Sequence, residues 1–126
     1  MKIKAIKGDF TICKVCDYSQ VDFTTEYVFT GKTDEELSLV CQTESTPTNV
    51  TECSSGWRMM RIEGKLDFSL IGILSHVSTV LAQSGIGLFA ISTFNTDYIL
   101  VKRENFPRAL DALSINGYEI VVTEKK

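Results

Sequence analysis

Histidine occurs once in this 126-residue chain, tryptophan once and proline twice. With His76 alone there is no histidine pair to hold a metal, and no nucleophile–base couple can be built around it. A glycine loop able to cradle phosphate is also missing. An enzyme is therefore not expected, and no cofactor is implied. Basic residues are in slight deficit, 13 Lys and Arg against 16 Asp and Glu, for a net charge of −3. That leaves no basic stripe for nucleic acid. No apolar run approaches the length of a membrane span. Lysines at 2, 4 and 7 have no apolar segment behind them, so the start does not read as a signal peptide and the cytoplasm is the expected compartment.

What is present suits a folded domain. The hydrophobic fraction is 44%, enough for one compact domain or two very small ones sharing a core. Four cysteines lie at 13, 16, 41 and 53. Cys13 and Cys16 have the spacing of a metal or redox pair, but a zinc ribbon needs a second close pair and Cys41 and Cys53 stand far apart. A redox pair opens a helix, whereas FTICKVC alternates like a strand. The four are expected to be reduced thiols used as small hydrophobes, with no metal bound.

Residues 3–6 are short and basic and suggest an edge strand. Strands are expected at 10–16, 25–30 and Leu37–Gln42, followed by a Thr-, Ser- and Pro-rich loop over 43–55 with a helical turn after Pro47. A fourth strand follows at 58–63. Leu70, Ile73, Leu74, Val77, Val80 and Leu81 recur at helical spacing and predict a helix over 69–83, with Asp67 or Ser69 as N-cap and Gly85 at its end. Strands at 87–91 and Asp97–Lys102 flank a polar turn. A second helix over 104–116 has Pro107 in its first turn, and a last strand spans 118–123. From Arg58 onward the order is β-α-β-β-α-β, the ferredoxin-like unit: an antiparallel four-stranded sheet with both helices on one face. The fold class is α+β.

Two corners carry the unusual polar chemistry, around 67–72 and around 92–97. Free N–H groups at a helix start favour an anion such as a carboxylate. Gly72 lets a small molecule approach the backbone. Asp97 supplies the negative charge that an α-amino or guanidinium group needs. An amino acid carries both charges. The plainer alternative makes Asp67, Ser69 and Asn95 caps and turn formers, and Asp97 a solvated rim charge. His76 falls on the helix face away from the leucines and is expected to be exposed. Trp57, Met59 and Met60 are expected to be core or interface residues.

The helix entry EGKLDFSLIGIL, the strand–turn–strand AISTFNTDYILV and the stretch DEELSLVC resemble the ACT domain family. Within it they resemble small bacterial proteins with two tandem ACT units, and they are similar to the ligand-binding part of animal cytosolic arginine sensors. The resemblance implies a reduced N-terminal ACT-like unit over 1–56 and an ACT domain over 57–126. It implies a regulatory or sensor protein that binds an amino acid where the two units join, without catalysis, as a homodimer or with a regulated protein partner. Carried over residue by residue, the contacts are Ser38, Leu39, Gly72, Thr93, Phe94 and Asp97, with Asp67 and Ser69 beside them. Leu70 and Ile71 stand where the arginine sensors place a further acid, so the resemblance does not single out arginine as the ligand. A module of the same fold that assembles through sheet edges without a ligand is the rival expectation.

Overall fold

The computed structural model describes residues 1–63 and 72–122. In chain order its elements are β1 (Lys2–Val15), β2 (Phe29–Lys32), β3 (Leu37–Gln42), β4 (Val50–Glu63), α1 (Ile73–Gln83), β5 (Phe89–Ser92), β6 (Asp97–Lys102), α2 (Phe106–Ile115) and β7 (Glu119–Val122). They form two compact units. Unit 1 is Met1–Lys7 with Arg58–Lys126, and unit 2 is Gly8–Trp57. The first seven residues thus group with the second half of the sequence. β1 and β4 each run through both units.

Unit 1 has the expected β-α-β-β-α-β order. β5 and β6 pair antiparallel, with Ser92 opposite Asp97 and Phe89 opposite Leu100. β6 adjoins β4. Val77, Val80 and Leu81 of α1 and Phe106, Ala109 and Leu113 of α2 pack with Met60, Ile62, Ile99 and Val101 in one core. Met60 and Ile62 are two apart on a strand, as are Ile99 and Val101, so both helices cover the same face of the sheet. Arg108 ties the helices further, donating to the Ser84 carbonyl at the end of α1 and to Asn105 Oδ1.

The four-stranded sheet expected for this unit is corrected in one respect. β7 does not neighbour β4. The N-terminal strand lies between them, pairing in parallel with β7 from Lys2↔Glu119 to Ala5↔Val122 and adjoining β4 on its other side. Residues 3–6 are therefore not an edge. Ile3 is 0% exposed and Ala5 is buried with it in the helix-facing core. Lys2 and Lys4 alternate with Ile3 and Ala5 and so belong to the other face.

Unit 2 repeats part of unit 1 at an offset of 60 residues. β2 and β3 pair with Phe29 opposite Val40 and Lys32 opposite Leu37, the register that β5 and β6 share. β3 and β6 have the same burial pattern along their six residues. Each is followed by a short 3₁₀ turn, Thr43–Ser45 and Arg103–Asn105. Unit 2 has no α-helix among the described residues. Its core of Cys13, Val15, Leu39 and Cys41 is covered instead by Tyr18, Val21 and Val28 from the segment between β1 and β2. Hydrogen bonds hold that segment in place: Tyr18 Oη to the Ser38 carbonyl at 2.9 Å, Gln42 Nε2 to the Glu26 carbonyl at 2.9 Å, and Thr48 N to Gln20 Oε1 at 3.0 Å.

Several expected bounds shift. The strand placed at 25–30 is Phe29–Lys32, so Gly31 and Lys32 lie within it. The loop placed at 43–55 is a loop only to Asn49, because β4 already runs from Val50. Its helical turn precedes Pro47. The described helix α1 starts at Ile73 with Gly72 as N-cap, in place of Asp67 or Ser69, and those two residues lie outside the described ones.

The cysteines divide by depth. Cys13 and Cys41 are buried, and Cys16 and Cys53 are exposed thiols. Burial, helped by the neighbouring Cys41 and Cys53, pushes the Cys13 thiol up to about 11. Burial also raises Cys41. A thiol becomes nucleophilic only as thiolate. Iodoacetamide at pH 8 should therefore alkylate Cys16 and Cys53 in the native protein and spare Cys13 and Cys41 until denaturant is added. Mass spectrometry of the peptides reads the pattern, and rapid native labelling of Cys13 would contradict it. Among the described residues no group of three or more His, Cys, Asp or Glu could hold a metal ion, and no helix is long and apolar enough to cross a membrane.

Candidate functional site

The polar corner of unit 1 is built from the turn between β5 and β6. Thr93 closes it twice, its amide donating to the Thr96 carbonyl at 2.9 Å and its hydroxyl to the same oxygen at 2.8 Å. Thr96 is buried, and its hydroxyl donates to the Ile62 carbonyl at 2.6 Å. That bond fixes the turn against β4 one residue before the strand ends at Glu63. The chain leaving Glu63 leads to α1, so the turn and the start of α1 belong to the same end of the sheet.

Thr96→Val should keep the shape of the side chain and leave the Ile62 carbonyl without its partner. A buried acceptor stripped of its donor costs about 1–3 kcal/mol. Urea denaturation followed by circular dichroism should show that loss, and an unchanged midpoint would mean the bond does not hold the turn.

On this anchored turn Phe94 is 77% exposed. Asp97 opens β6 and shares a face with Ile99 and Val101, which meet the helices, so its carboxylate lies on the helix side of the sheet. It is half-exposed, and among the described residues it has no ion-pair partner. Gly72 is exposed and takes φ 87°, left-handed backbone that side chains resist. Among the described residues a Cβ there would meet nothing within 4 Å, and the left-handed backbone itself is what calls for glycine at the turn into the helix. The first helical bond, His76 N to the Gly72 carbonyl at 2.8 Å, closes directly on it.

Thr93, Phe94 and Asp97 are thus together on one turn, and Gly72 starts the helix at the same end of unit 1. Ser38 and Leu39 belong to unit 2, on β3. Leu39 is buried and lies in the ladder between Thr30 and Cys13, and the Ser38 carbonyl is already held by Tyr18. Position 37, the counterpart of Asp97 in the 60-residue offset, is a leucine packed into unit 2's own core. The two corners therefore share a frame and differ in charge.

Residues that sequence reasoning missed lie near the same end. Arg61 donates from Nε to Glu63 Oε1 at 3.1 Å and from Nη1 to Tyr98 Oη at 3.4 Å, its guanidinium 5.8 Å from the Tyr98 ring centre. Their alternation on β4 could have indicated a shared face, but not the tyrosine two strands on in sequence. His76 is exposed as expected but is not alone. Its Nδ1 lies 2.6 Å from the Tyr118 hydroxyl. Burial raises the Tyr118 phenol, which stays protonated. Met59 and Met60 are core residues, and Trp57 is half-buried with Nε1 donating to Ser54 Oγ at 3.1 Å.

Comparison with known proteins agrees with this architecture. The human cytosolic arginine sensor for mTORC1, subunit 1, is 40% identical over 63 residues, and the bovine protein matches equally. The match takes in 48% of this chain and 19% of the sensor, so the chain spans about a fifth of the curated relatives it matches. A crystal structure of a protein from Agobacterium tumefaciens superposes with a TM-score of 0.87 at 28% identity, covering 98% of this chain and 94% of that one. The regulatory subunit of aspartate kinase from Thermus thermophilus shares the fold alone, with a TM-score of 0.63 at 10% identity over 93% of this chain and 98% of that one. The sequence pattern of the ACT domain matches residues 52–114, half of the chain, and with the fold of unit 1 this makes the protein a member of the ACT domain family.

Proposed function

We propose that this protein is a non-catalytic regulatory module that binds a free amino acid at the polar corner of unit 1 and changes what it binds next. The observation that carries the reading is the anchored turn. Thr96 holds Thr93, Phe94 and Asp97 in place, with a carboxylate on the helix side of the strand end and a helix start at the same end. The carboxylate suits an ammonium or guanidinium group, and backbone N–H groups at a helix start suit a carboxylate. Asp67 and Ser69, which lie outside the described residues, stay in the proposal as partners for that carboxylate.

The relatives support an amino acid as the class of ligand. One is a cytosolic arginine sensor, and two structural neighbours are described as a regulatory subunit and a C-terminal regulatory domain of aspartate kinases. In keeping with them, the protein acts in the cytoplasm. Unit 2 is read as a second ACT unit reduced to its strands. Its registers and burial repeat those of β5 and β6 at an offset of 60.

A thermal-shift screen against the twenty common amino acids tests the reading, because a ligand that binds only the folded state raises its melting temperature. At 100 times its Kd a ligand adds about 2.7 kcal/mol, a shift of several degrees. No shift with any of them would favour the assembly module instead.

A further inference from the structure

Unit 1 is basic in a chain that is acidic as a whole. It holds eleven Lys and Arg against seven Asp and Glu, a net of +4 beside the −3 of the full sequence. Several of these cations gather where α2 begins, at the end of unit 1 away from the polar corner. Arg58 opens the unit's part of β4, and roughly 17 Å of strand separates it from Glu63 at that corner. Arg58 is half-buried, and its guanidinium carbon lies 4.4 Å from the centre of the Phe106 ring at the start of α2. Nη2 donates to the Ile6 carbonyl at 3.1 Å, and Nε is buried with no hydrogen-bond partner. Among the described residues no carboxylate pairs with it, whereas Arg61 on the same strand has Glu63. Arg103 stands exposed in the turn leading into α2, beside Glu104, the acid of that turn. Arg108 is exposed in the first turn of the helix, fixed by its bonds to the Ser84 carbonyl and Asn105 Oδ1.

A half-buried charge without a counter-ion costs stability, and a bound anion offsets that cost. The ring face holds the guanidinium flat, and its end-on edge is the fork that grips two oxygens of one oxyanion. We propose that this end of unit 1 binds a phosphate group, free or carried on a small metabolite, with Arg58 gripping its oxygens and Arg103 and Arg108 supplying the outer charge. A phosphate dianion suits three guanidinium groups better than a singly charged carboxylate does. The site stands apart from the amino-acid corner and needs no amino acid bound.

Calorimetric titration of the whole protein with inorganic phosphate tests it, with ionic strength held constant by chloride and no amino acid present. One phosphate should bind per chain, and the Arg58 Nε–H resonance should move in heteronuclear NMR spectra of the parent. Arg58→Met keeps an apolar stem over Phe106 and removes the fork. Its Kd for phosphate should rise at least tenfold. Its melting temperature without phosphate should hold or rise, because the unpaired charge is gone. Arg58→Lys keeps the charge without the fork and should fall between. Tighter binding of glycerol 3-phosphate than of inorganic phosphate would assign the site to a metabolite, and equal binding to the free ion. Three results would overturn the proposal: phosphate binding no better than chloride, Arg58→Met binding phosphate as tightly as the parent, or acetate binding as well as phosphate. If either variant loses its circular dichroism, an Arg58 resonance unmoved by phosphate in the parent overturns it alone.

Discussion

Removal of residues 1–7 should leave a chain that no longer folds cooperatively. β7 finds its strand partner in β1, from Lys2↔Glu119 to Ala5↔Val122, and Glu119 N donates to the Met1 carbonyl at 3.0 Å. Without the first strand, those groups of β7 lose their ladder and the helix-facing core loses Ile3 and Ala5. A milder variant separates the two contributions. Ile3→Ala keeps the strand and removes a fully buried side chain. Such truncations cost about 2–5 kcal/mol, against a total stability of roughly 5–15 kcal/mol for a domain. Urea denaturation should place the Ile3→Ala midpoint well below that of the parent, with an unchanged slope. If the cost is under about 0.5 kcal/mol, typical of a surface position, the strand is the exposed edge that its lysines suggest.

That expected cost marks where the sequence misleads. KIKA has the alternation of a strand with one buried face, but three lysines in the six residues of KIKAIK outweigh two isoleucines in any count of hydrophobicity. Nothing local says that a strand from the far end of the chain will lie beside it. Strand partners at long range are set by the whole core. β3 and β6 are legible to the residue, because LSLVCQ and DYILVK are short apolar runs between polar turns. The start of β4 is hidden because VTECSS shows mostly exposed side chains, and serine and threonine read as loop. The N-cap of α1 is missed for a related reason. Capping rules favour Asp67 or Ser69, while the helix enters through left-handed glycine at Gly72. Valine at that position would therefore be strained by its backbone, so Gly72→Val is a poorer probe of the corner than helix propensities suggest.

The corner is legible in part. Thr93, Phe94 and Asp97 are turn and rim residues by type. Thr96 is the one that fixes the turn, and its role depends on a carbonyl thirty-four residues away. The offset repeat is nearly invisible in sequence. Over residues 29–42 and 89–102 only Phe29 with Phe89 and Thr33 with Thr93 are identical. What the two segments share is a pattern, an apolar triplet after a threonine-closed turn, and shared register rather than identity reveals it.

Asp97→Ala should weaken binding of whichever amino acid raises the melting temperature in the screen by one to two orders of magnitude, and should leave the protein itself as stable as before. The prediction is a hypothesis resting on the position of the carboxylate, at a strand start on the helix side, with no ion-pair partner among the described residues. A hydrogen bond to a charged group contributes about 1.5–3 kcal/mol, so its loss should raise Kd roughly 10- to 150-fold. An exposed or half-exposed carboxylate with no partner contributes about 0–1 kcal/mol to folding, so the melting temperature without ligand should move by no more than a few degrees. Asp97→Asn should fall between, keeping an acceptor and losing the charge. Calorimetric titration of the three proteins with the same amino acid reads all of this directly, and the ligand-free melting curves exclude a general loss of fold. If Asp97→Ala binds as tightly as the parent, the ligand does not lie against this turn, and recognition has to be sought away from Thr93, Phe94 and Asp97.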